Sequence, residues 1–243
     1  MTAVTTRKPT FRRFRELTPE DVNVDFQVHT VKTDGDATID EILDRTAERN
    51  LRAIAFTEHV RKDTKWFPDF VNDVRAAAGR RPGLTVYVGC ETKAEDTAGT
   101  LDLSDEIFDA CDIVLGSVHR FPNGRGGFLD FNTLSAAQMA DLEFDLAMGM
   151  VKGGRIDVLS HPGGMYERRH GAFPKERFRA LMEATLEAGI AIEINSSYLV
   201  DVDSFLGLCA EVNPFVSIGS DVHKLDEIAK CRDMLRTKGV GVS

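Results

Sequence analysis

The chain has 243 residues, of which 42% are hydrophobic and 28% charged, and its formal net charge is −9. This is the composition of an ordinary globular protein, and the length suits one domain with a full core. The negative charge argues against general binding to nucleic acid, because contacts with phosphate need a basic surface. No run of about 18 apolar residues occurs, so no membrane span is predicted.

The N-terminal segment indicates a cytoplasmic protein, and the cysteines form no recognised motif. Residues 1–17 carry charge but lack the apolar core of a secretory signal. The four cysteines are widely spaced and form no CxxC pair, which argues against a zinc finger or a redox motif. Residues 1–20 hold five Lys and Arg against two Glu and predict a basic arm before a single domain at 21–243. A solvated arm, docking on the acidic body and contact with a partner all fit this composition.

Taken in order, the apolar patterns alternate between strands and helices. They predict seven strands, at residues 22–29, 53–59, 84–91, 113–119, 156–161, 190–195 and 215–219. They predict helices at residues 39–50, 67–80, 103–110, 135–152, 175–188, 205–212 and 225–238. Gly189 follows one of these helices and predicts a left-handed C-terminal cap. Alternating strands and helices imply a parallel sheet, and the short regular repeat favours a closed α/β barrel over a doubly wound sheet.

Five of the six histidines lie at the ends of predicted strands, namely His29, His59, His119, His161 and His223. Glu91 and Asp221 occupy similar positions. In a barrel these strand ends converge on one face, so the side chains would crowd one mouth. In a purely structural role, each imidazole would need its own hydrogen-bond partners. Metal ions would instead satisfy all five imidazoles at once. The recurrence therefore predicts a metal site.

These residues form motifs that resemble the PHP (polymerase and histidinol phosphatase) family of metal-dependent phosphoesterases. The family's opening HxHTxxSDG motif corresponds to residues 27–35, QVHTVKTDG, with Gln27 in place of the first His. Its TDH motif corresponds to Thr57-Glu58-His59, and its later motifs to residues 116–119, 161–162 and 220–223. The resemblance implies a distorted (β/α)7 barrel, similar to a TIM barrel, with a trinuclear metal site at the C-terminal ends of the strands.

The resemblance also implies a ligand set for each metal ion. The first ion would be held by Gln27, His29, Glu91 and Asp221. Glu91 would bridge to a second ion, completed by His119 and His161. The third ion would use His59 and His223 with Asp34 or Asp36 from the opening turn. Imidazole and carboxylate ligands suit zinc, manganese or iron and do not choose among them.

The implied activity is hydrolysis of a small phosphorylated metabolite, of the histidinol phosphate or nucleotide monophosphate type. A metal-activated hydroxide would attack phosphorus, with Glu91 and Asp221 supplying negative charge to the metal centre. Arg120, next to His119, and Lys93, near Glu91, are candidate phosphate contacts, with a surface salt bridge as the alternative for each. His170 is a candidate substrate contact or a surface residue.

Two other functions fit the same motifs. One is a phosphodiesterase or exonuclease, like the PHP domains attached to DNA polymerases, although the acidic charge and the lack of an aromatic stacking segment weigh against it. The other is a non-catalytic metal-binding scaffold, because Gln27 replaces one ligand of the family.

Substrate choice is expected to lie in loops 61–70, 94–103, 120–134 and 162–174. The sequence gives no indication of the oligomeric state. Weaker candidates for phosphate contact, which also follow site residues, are Arg61, Lys62, Arg168, Arg169 and Lys224.

Overall fold

A computed structural model describes residues 8–242 and shows an eight-stranded sheet. Its strands are β1 (Arg12–Arg13), β2 (Val24–Val28), β3 (Ala53–His59), β4 (Thr85–Lys93), β5 (Ile113–Ser117), β6 (Val158–Leu159), β7 (Ala191–Asn195) and β8 (Phe215–Gly219). The spatial order is β1-β8-β7-β6-β5-β4-β3-β2, with β2 to β8 parallel and β1 antiparallel to β8. The sequence predicts the parallel strands but not β1, which lies within the predicted arm. Residues 1–7 of that arm lie outside the described residues.

Within residues 8–242 there are eight α-helices. They are α1 (Ile39–Glu48), α2 (Phe67–Gly79), α3 (Asp105–Ala110), α4 (Ala136–Gly153), α5 (Gly164–His170), α6 (Lys175–Ala188), α7 (Val202–Val212) and α8 (Lys230–Thr237). One follows each parallel strand, except that two, α5 and α6, follow β6. Helix α5 falls where a loop was predicted. Its first turn is held by a tertiary contact, because Met165 and Tyr166 donate backbone hydrogen bonds to the buried carboxylate of Glu143 on α4. Because Glu143 lies on another helix, a local sequence pattern does not predict this contact.

Side chains next to the helices explain where several helices begin and end. Thr38 and Glu41 form a reciprocal capping box at the start of α1, which satisfies backbone donors that the first turn leaves free. Helix α6 ends at Gly189, whose φ of 70° is the left-handed conformation that glycine adopts without strain. The predicted cap at Gly189 is therefore confirmed.

The predicted helix at residues 225–238 is not continuous, and that prediction was wrong. Leu225–Glu227 forms a 3-10 turn, and α8 begins only at Lys230. Between them Ala229 has a φ of 71° and donates its backbone N–H to the buried carboxylate of Asp25, at 3.0 Å. The hydrogen bond from β2 thus interrupts the helix and ties the end of the chain to the sheet.

The two ends of the parallel sheet approach each other beyond the last residues of β8. Val28 and Val222 form an isolated parallel bridge, and His29 donates its backbone N–H to the carbonyl of Val222 at 2.9 Å. The described residues contain no continuous ladder between β2 and β8. The structure therefore shows an α/β fold with a mostly parallel sheet, and it does not show the closed barrel that the sequence predicts.

Buried apolar side chains of the sheet and the surrounding helices form one core, which includes Phe56 on β3, Phe67 on α2 and Phe205 on α7. Within residues 8–242 no helix has the length and apolar character needed to cross a bilayer. The core depends on close approach of neighbouring strands. A Cβ atom on Gly89 of β4 would lie only 2.0 Å from the carbonyl oxygen of Ile113 on β5.

We expect Gly89→Ala to destabilise the protein by about 2 kcal/mol or more, because the added methyl group must displace β5. Gly79→Ala is the matched control, since a Cβ on Gly79 would meet nothing within 4 Å. At that helical position alanine should be neutral or stabilising, by about 1 kcal/mol at most. Denaturant unfolding of both variants checks this. Equal stability of the two variants would contradict the close strand contact.

Candidate metal centre

The C-terminal ends of the parallel strands gather the polar residues of the site. His29 follows β2, β3 ends on His59, and Glu91 lies near the end of β4. The loops after β2, β5, β6 and β8 supply the other ligand-type side chains of the same cluster. The clustered residues are His29, Asp34, His59, Glu91, His119, His161, Asp221 and His223. A parallel sheet brings these ends together because all its strands finish at the same edge.

The carboxylate of Glu91 is the centre of the cluster. Its Oε1 lies 2.7 Å from His161 Nε2 and 3.2 Å from His119 Nε2. Its Oε2 lies 3.0 Å from His59 Nδ1 and 3.6 Å from His29 Nε2. Burial alone would raise the pKa of Glu91, but the surrounding imidazoles hold it well below its usual range. Glu91 is therefore ionised.

Asp34 joins the outer histidines of the cluster. Its carboxylate oxygens lie 3.3 Å from His59 Nε2 and 3.3 Å from His223 Nε2. The hydrogen bond with His59 lowers the pKa of Asp34 far below its usual value. Asp36 has a different contact, because its backbone N–H donates to the carbonyl of His223 at 2.8 Å. The structure thus places Asp34, and not the Asp36 carboxylate, against the imidazoles.

Two residues of the cluster have strained backbone conformations. Asp221 has a φ of 52° and His161 a φ of 27°, both in the region that side chains disfavour. Asp221 Oδ1 lies 3.2 Å from His29 Nε2. The strained backbone of His161 is held by Glu193, whose buried carboxylate accepts the His161 N–H at 2.7 Å. Strain of this kind persists where the surrounding structure fixes a functional side chain.

The histidine pKa values show how strongly the site attracts positive charge. Burial would lower the pKa of His59, but the nearby carboxylates of Asp34 and Glu91 outweigh it and raise the pKa to about 11. Burial opposes protonation of His161 as well, yet its hydrogen bond to Glu91 raises the pKa to about 9. Burial lowers the pKa of His119. Without metal, protons on His59 and His161 balance the carboxylates.

Several buried atoms of the cluster have no hydrogen-bond partner of acceptable geometry. They are both ring nitrogens of His29 and Oε2 of Glu91. A buried polar atom left unpaired destabilises a fold by about 1–3 kcal/mol, whereas a metal ion would satisfy such atoms together. Donor atoms converge within 4.8 Å of one another in three groups: His29, Asp34, His59 and His223; His59, Glu91 and His119; His29, Glu91 and Asp221. The site therefore fits divalent metal ions, with donors that suit zinc, manganese or iron.

Gln27 is buried beside the cluster but its amide oxygen is already engaged. Gln27 Oε1 accepts a hydrogen bond from Asn195 Nδ2 at 2.9 Å, while Gln27 Nε2 has no partner. Asn195 also donates to Glu193, at 3.1 Å. Sequence reasoning assigned no role to Glu193 or Asn195, although both lie on one face of β7 and end that strand with polar residues. They form a buried network behind the cluster.

The predicted substrate contacts lie around the mouth of the site. Lys93 and Arg120 line a chamber that also contains His59, Glu91 and His119. Lys93 forms an ion pair with Asp102 at 2.9 Å, and the guanidinium of Arg120 lies 5.3 Å from the ring centre of Phe128. His170 is at the end of α5, where its ring contacts Tyr166 and lines none of the chambers around the cluster.

A second chamber meets the first at the cluster. It is lined by Arg168 and Tyr198, together with Met165 and Arg169. The Tyr198 ring stacks on His161 with a centroid distance of 4.4 Å, and its hydroxyl accepts a hydrogen bond from Arg168 at 2.6 Å. Tyr198 was not identified from the sequence. Its position after β7, as an aromatic residue at a strand end, is the signal that could have found it.

Ligand-type residues gathered at the ends of parallel strands define a class of α/β protein with a candidate metal site, and comparison with known proteins identifies a family. The model of the PHP domain family matches residues 25–197. The chain belongs to the PHP domain family, as its motifs indicate.

Individual relatives have low sequence identity to this chain. The chain is 26% identical over 231 residues to a protein named probable phosphatase from Syntrophotalea carbinolica, covering 89% of this chain and 88% of that protein. It is 26% identical over 225 residues to another probable phosphatase, from Caldicellulosiruptor saccharolyticus, with coverage of 86% and 84%. The structure of a candidate histidinol phosphatase from Listeria monocytogenes is similar in fold, with a TM-score of 0.66, 14% identity, and coverage of 84% of this chain and 97% of that one.

Metal binding should release protons, because His59 and His161 carry raised pKa values of about 11 and 9 and ligation needs the neutral imidazole. The apparent affinity for metal should therefore rise with pH through the neutral range. Calorimetric titration of the metal-free protein with Mn²⁺ or Zn²⁺, in buffers of different ionisation enthalpy, counts the protons released. Binding without proton release near pH 7 would contradict these protonation states.

Proposed function

We propose that the protein is a metal-dependent phosphatase that hydrolyses the monoester of a small phosphorylated metabolite, of the histidinol phosphate or nucleotide monophosphate type. The observation that carries the proposal is the buried Glu91 carboxylate, which four imidazoles approach within 3.6 Å. Membership of the PHP domain family and the phosphatase names of the relatives support it. The sheet edges that meet at Val28 and Val222 support closure into a distorted (β/α)7 barrel around this site.

The proposed centre holds up to three ions of zinc, manganese or iron. One would be held by His29, Glu91 and Asp221, and Gln27 is a further candidate there. A second would be held by Glu91, His119 and His161, and His59 also lies close to the Glu91 carboxylate. The third would be held by Asp34, His59 and His223, with His29 nearby. When bound, such ions lower the pKa of water and neutralise phosphate charge.

The side chains of the chain itself have separate roles in this proposal. Glu91 and Asp221 supply buried negative charge, and Glu193 keeps His161 in its strained position. Arg120 and Lys93 orient the phosphorylated substrate through charge-assisted hydrogen bonds from the chamber wall. His170, at the end of α5, remains a candidate substrate contact at the rim.

A direct test compares turnover of an aryl phosphate monoester, an aryl phosphate diester and single-stranded DNA. Metal-free protein is restored with manganese, zinc or iron in separate assays. We expect turnover of the monoester only. Faster turnover of the diester or of DNA would favour a phosphodiesterase, and no turnover with bound metal would favour a metal-binding scaffold.

Glu91→Gln should lower the monoesterase rate by about a hundredfold or more and reduce the bound metal, because a neutral amide removes charge that two ions share. Metal analysis and turnover measure both effects. Glu106→Gln on the exposed face of α3 is the matched control and should retain rate and metal. Normal metal content and turnover in Glu91→Gln would remove Glu91 from the centre.

Gln27→His tests whether residue 27 is a metal ligand. If Gln27 lies in the ligand set, an imidazole should raise zinc affinity and lessen the dependence on added metal, because zinc prefers nitrogen to an amide oxygen. Metal stoichiometry and metal-dependent turnover are compared with those of the parent protein. Unchanged values would mean that Gln27 only hydrogen-bonds Asn195, as its amide oxygen does in the structure.

A further inference from the structure

A groove leads away from the candidate metal centre, and its size exceeds what one phosphate group needs. Arg61, Lys93 and Arg120 line both the chamber at the metal centre and this groove, so the two spaces are continuous. The groove has a volume of about 570 Å³ and extends to Phe128, whose side chain is 46% exposed. A space of this size holds a whole small molecule.

Two hairpin-like loops form the walls of the groove. In the first, Glu95 and Thr100 are joined by a backbone hydrogen bond of 2.8 Å. In the second, Leu129 donates to the carbonyl of Phe121 at 2.8 Å, and Asn123 donates to that of Gly127 at 2.9 Å. These hydrogen bonds fix both walls before any ligand enters, which lowers the entropy lost on binding.

The acidic side chains of the groove already have partners. Lys93 forms an ion pair with Asp102, and Lys62 forms one with Glu95. The Asp96 carboxylate accepts backbone hydrogen bonds from Ala98 and Thr100. Lysines thus neutralise Asp102 and Glu95, and the backbone of its own loop holds the Asp96 carboxylate.

The two arginines of the groove have no such partners. Within residues 8–242 the guanidinium groups of Arg61 and Arg120 make no hydrogen bond or ion pair. Arg120 instead lies over the Phe128 ring, which orients its guanidinium. Two free guanidinium groups in a preformed groove favour an anion with several acceptor oxygens.

We propose that the substrate carries a second anionic group, a phosphate or a carboxylate, which binds Arg61 and Arg120 in this groove. The proposal rests on the proposed phosphatase function, because the ester to be hydrolysed occupies the metal centre at the same time. The cationic side chains of Arg168 and Arg169 line the second chamber at the metal centre and do not line this groove. A single phosphate group at the metal centre, oriented by Arg120 and Lys93, would leave Arg61 unpaired and the groove towards Phe128 unfilled.

The test uses three esters that differ only at the far end of a butane chain: the monophosphate of butanediol, its bisphosphate, and the phosphate ester of hydroxybutanoate. We expect kcat/KM for the bisphosphate, the carboxylate ester or both to exceed that of the neutral-ended ester by about tenfold or more. The ester with the larger gain identifies the class of the second anion. Calorimetric dissociation constants of the matching phosphonates should give the same order without turnover.

Arg61→Ala should bring the ratio of kcat/KM between charged and neutral-ended esters to within about twofold of one. Arg125→Ala is the matched control, because Arg125 lies exposed at the tip of the same wall and does not line the groove. Its ratio should stay at the parent value. The ratio is measured within each variant, so a general loss of active protein does not affect it.

Turnover of the neutral-ended ester at the same efficiency as the charged ones would overturn this proposal and leave the phosphatase function standing. An unchanged ratio in Arg61→Ala would also overturn it. If no ester is hydrolysed with manganese, zinc or iron restored, the phosphatase function fails, and the second-anion proposal fails with it.

Discussion

A carboxylate buried among imidazoles is the constraint on which the rest of the site depends. Glu91 is 1% exposed, and burial of an ionised carboxylate is strongly unfavourable unless opposite charge compensates it. The structure supplies this compensation from protonated His59 and His161, and metal ions would supply it more fully. The same burial that would destabilise an isolated charge therefore favours the presence of cations at this site.

The scaffold explains how so many ligand-type groups occupy one place. Parallel strands deliver them to one edge, and a second layer of buried polar residues holds them there. Asp25 accepts backbone hydrogen bonds from Ser220 and Ala229, which positions the segment that carries Asp221. Glu193 holds the strained backbone of His161. Fold stability and site geometry thus share the same hydrogen bonds, so substitutions in the second layer should affect both.

The positions of the parallel strands and the clustered residues could be predicted because each has a local signal. Apolar runs mark the strands, and His or Glu at their ends marks the cluster, as at His59 and Glu91. Helix α5 and the break at Ala229 could not be predicted, since both depend on buried carboxylates distant in sequence, Glu143 and Asp25. The bond from Asn195 to Gln27 spans 168 residues and has no local pattern either.

The central claim is that the cluster around Glu91 binds several metal ions that share this carboxylate. Anomalous diffraction from crystals of manganese-loaded protein, measured at the manganese absorption edge, tests it most directly. We expect three peaks at the strand ends, two of them within ligand distance of Glu91. A single peak, or peaks that Glu91 does not contact, would show that the ions do not share this carboxylate.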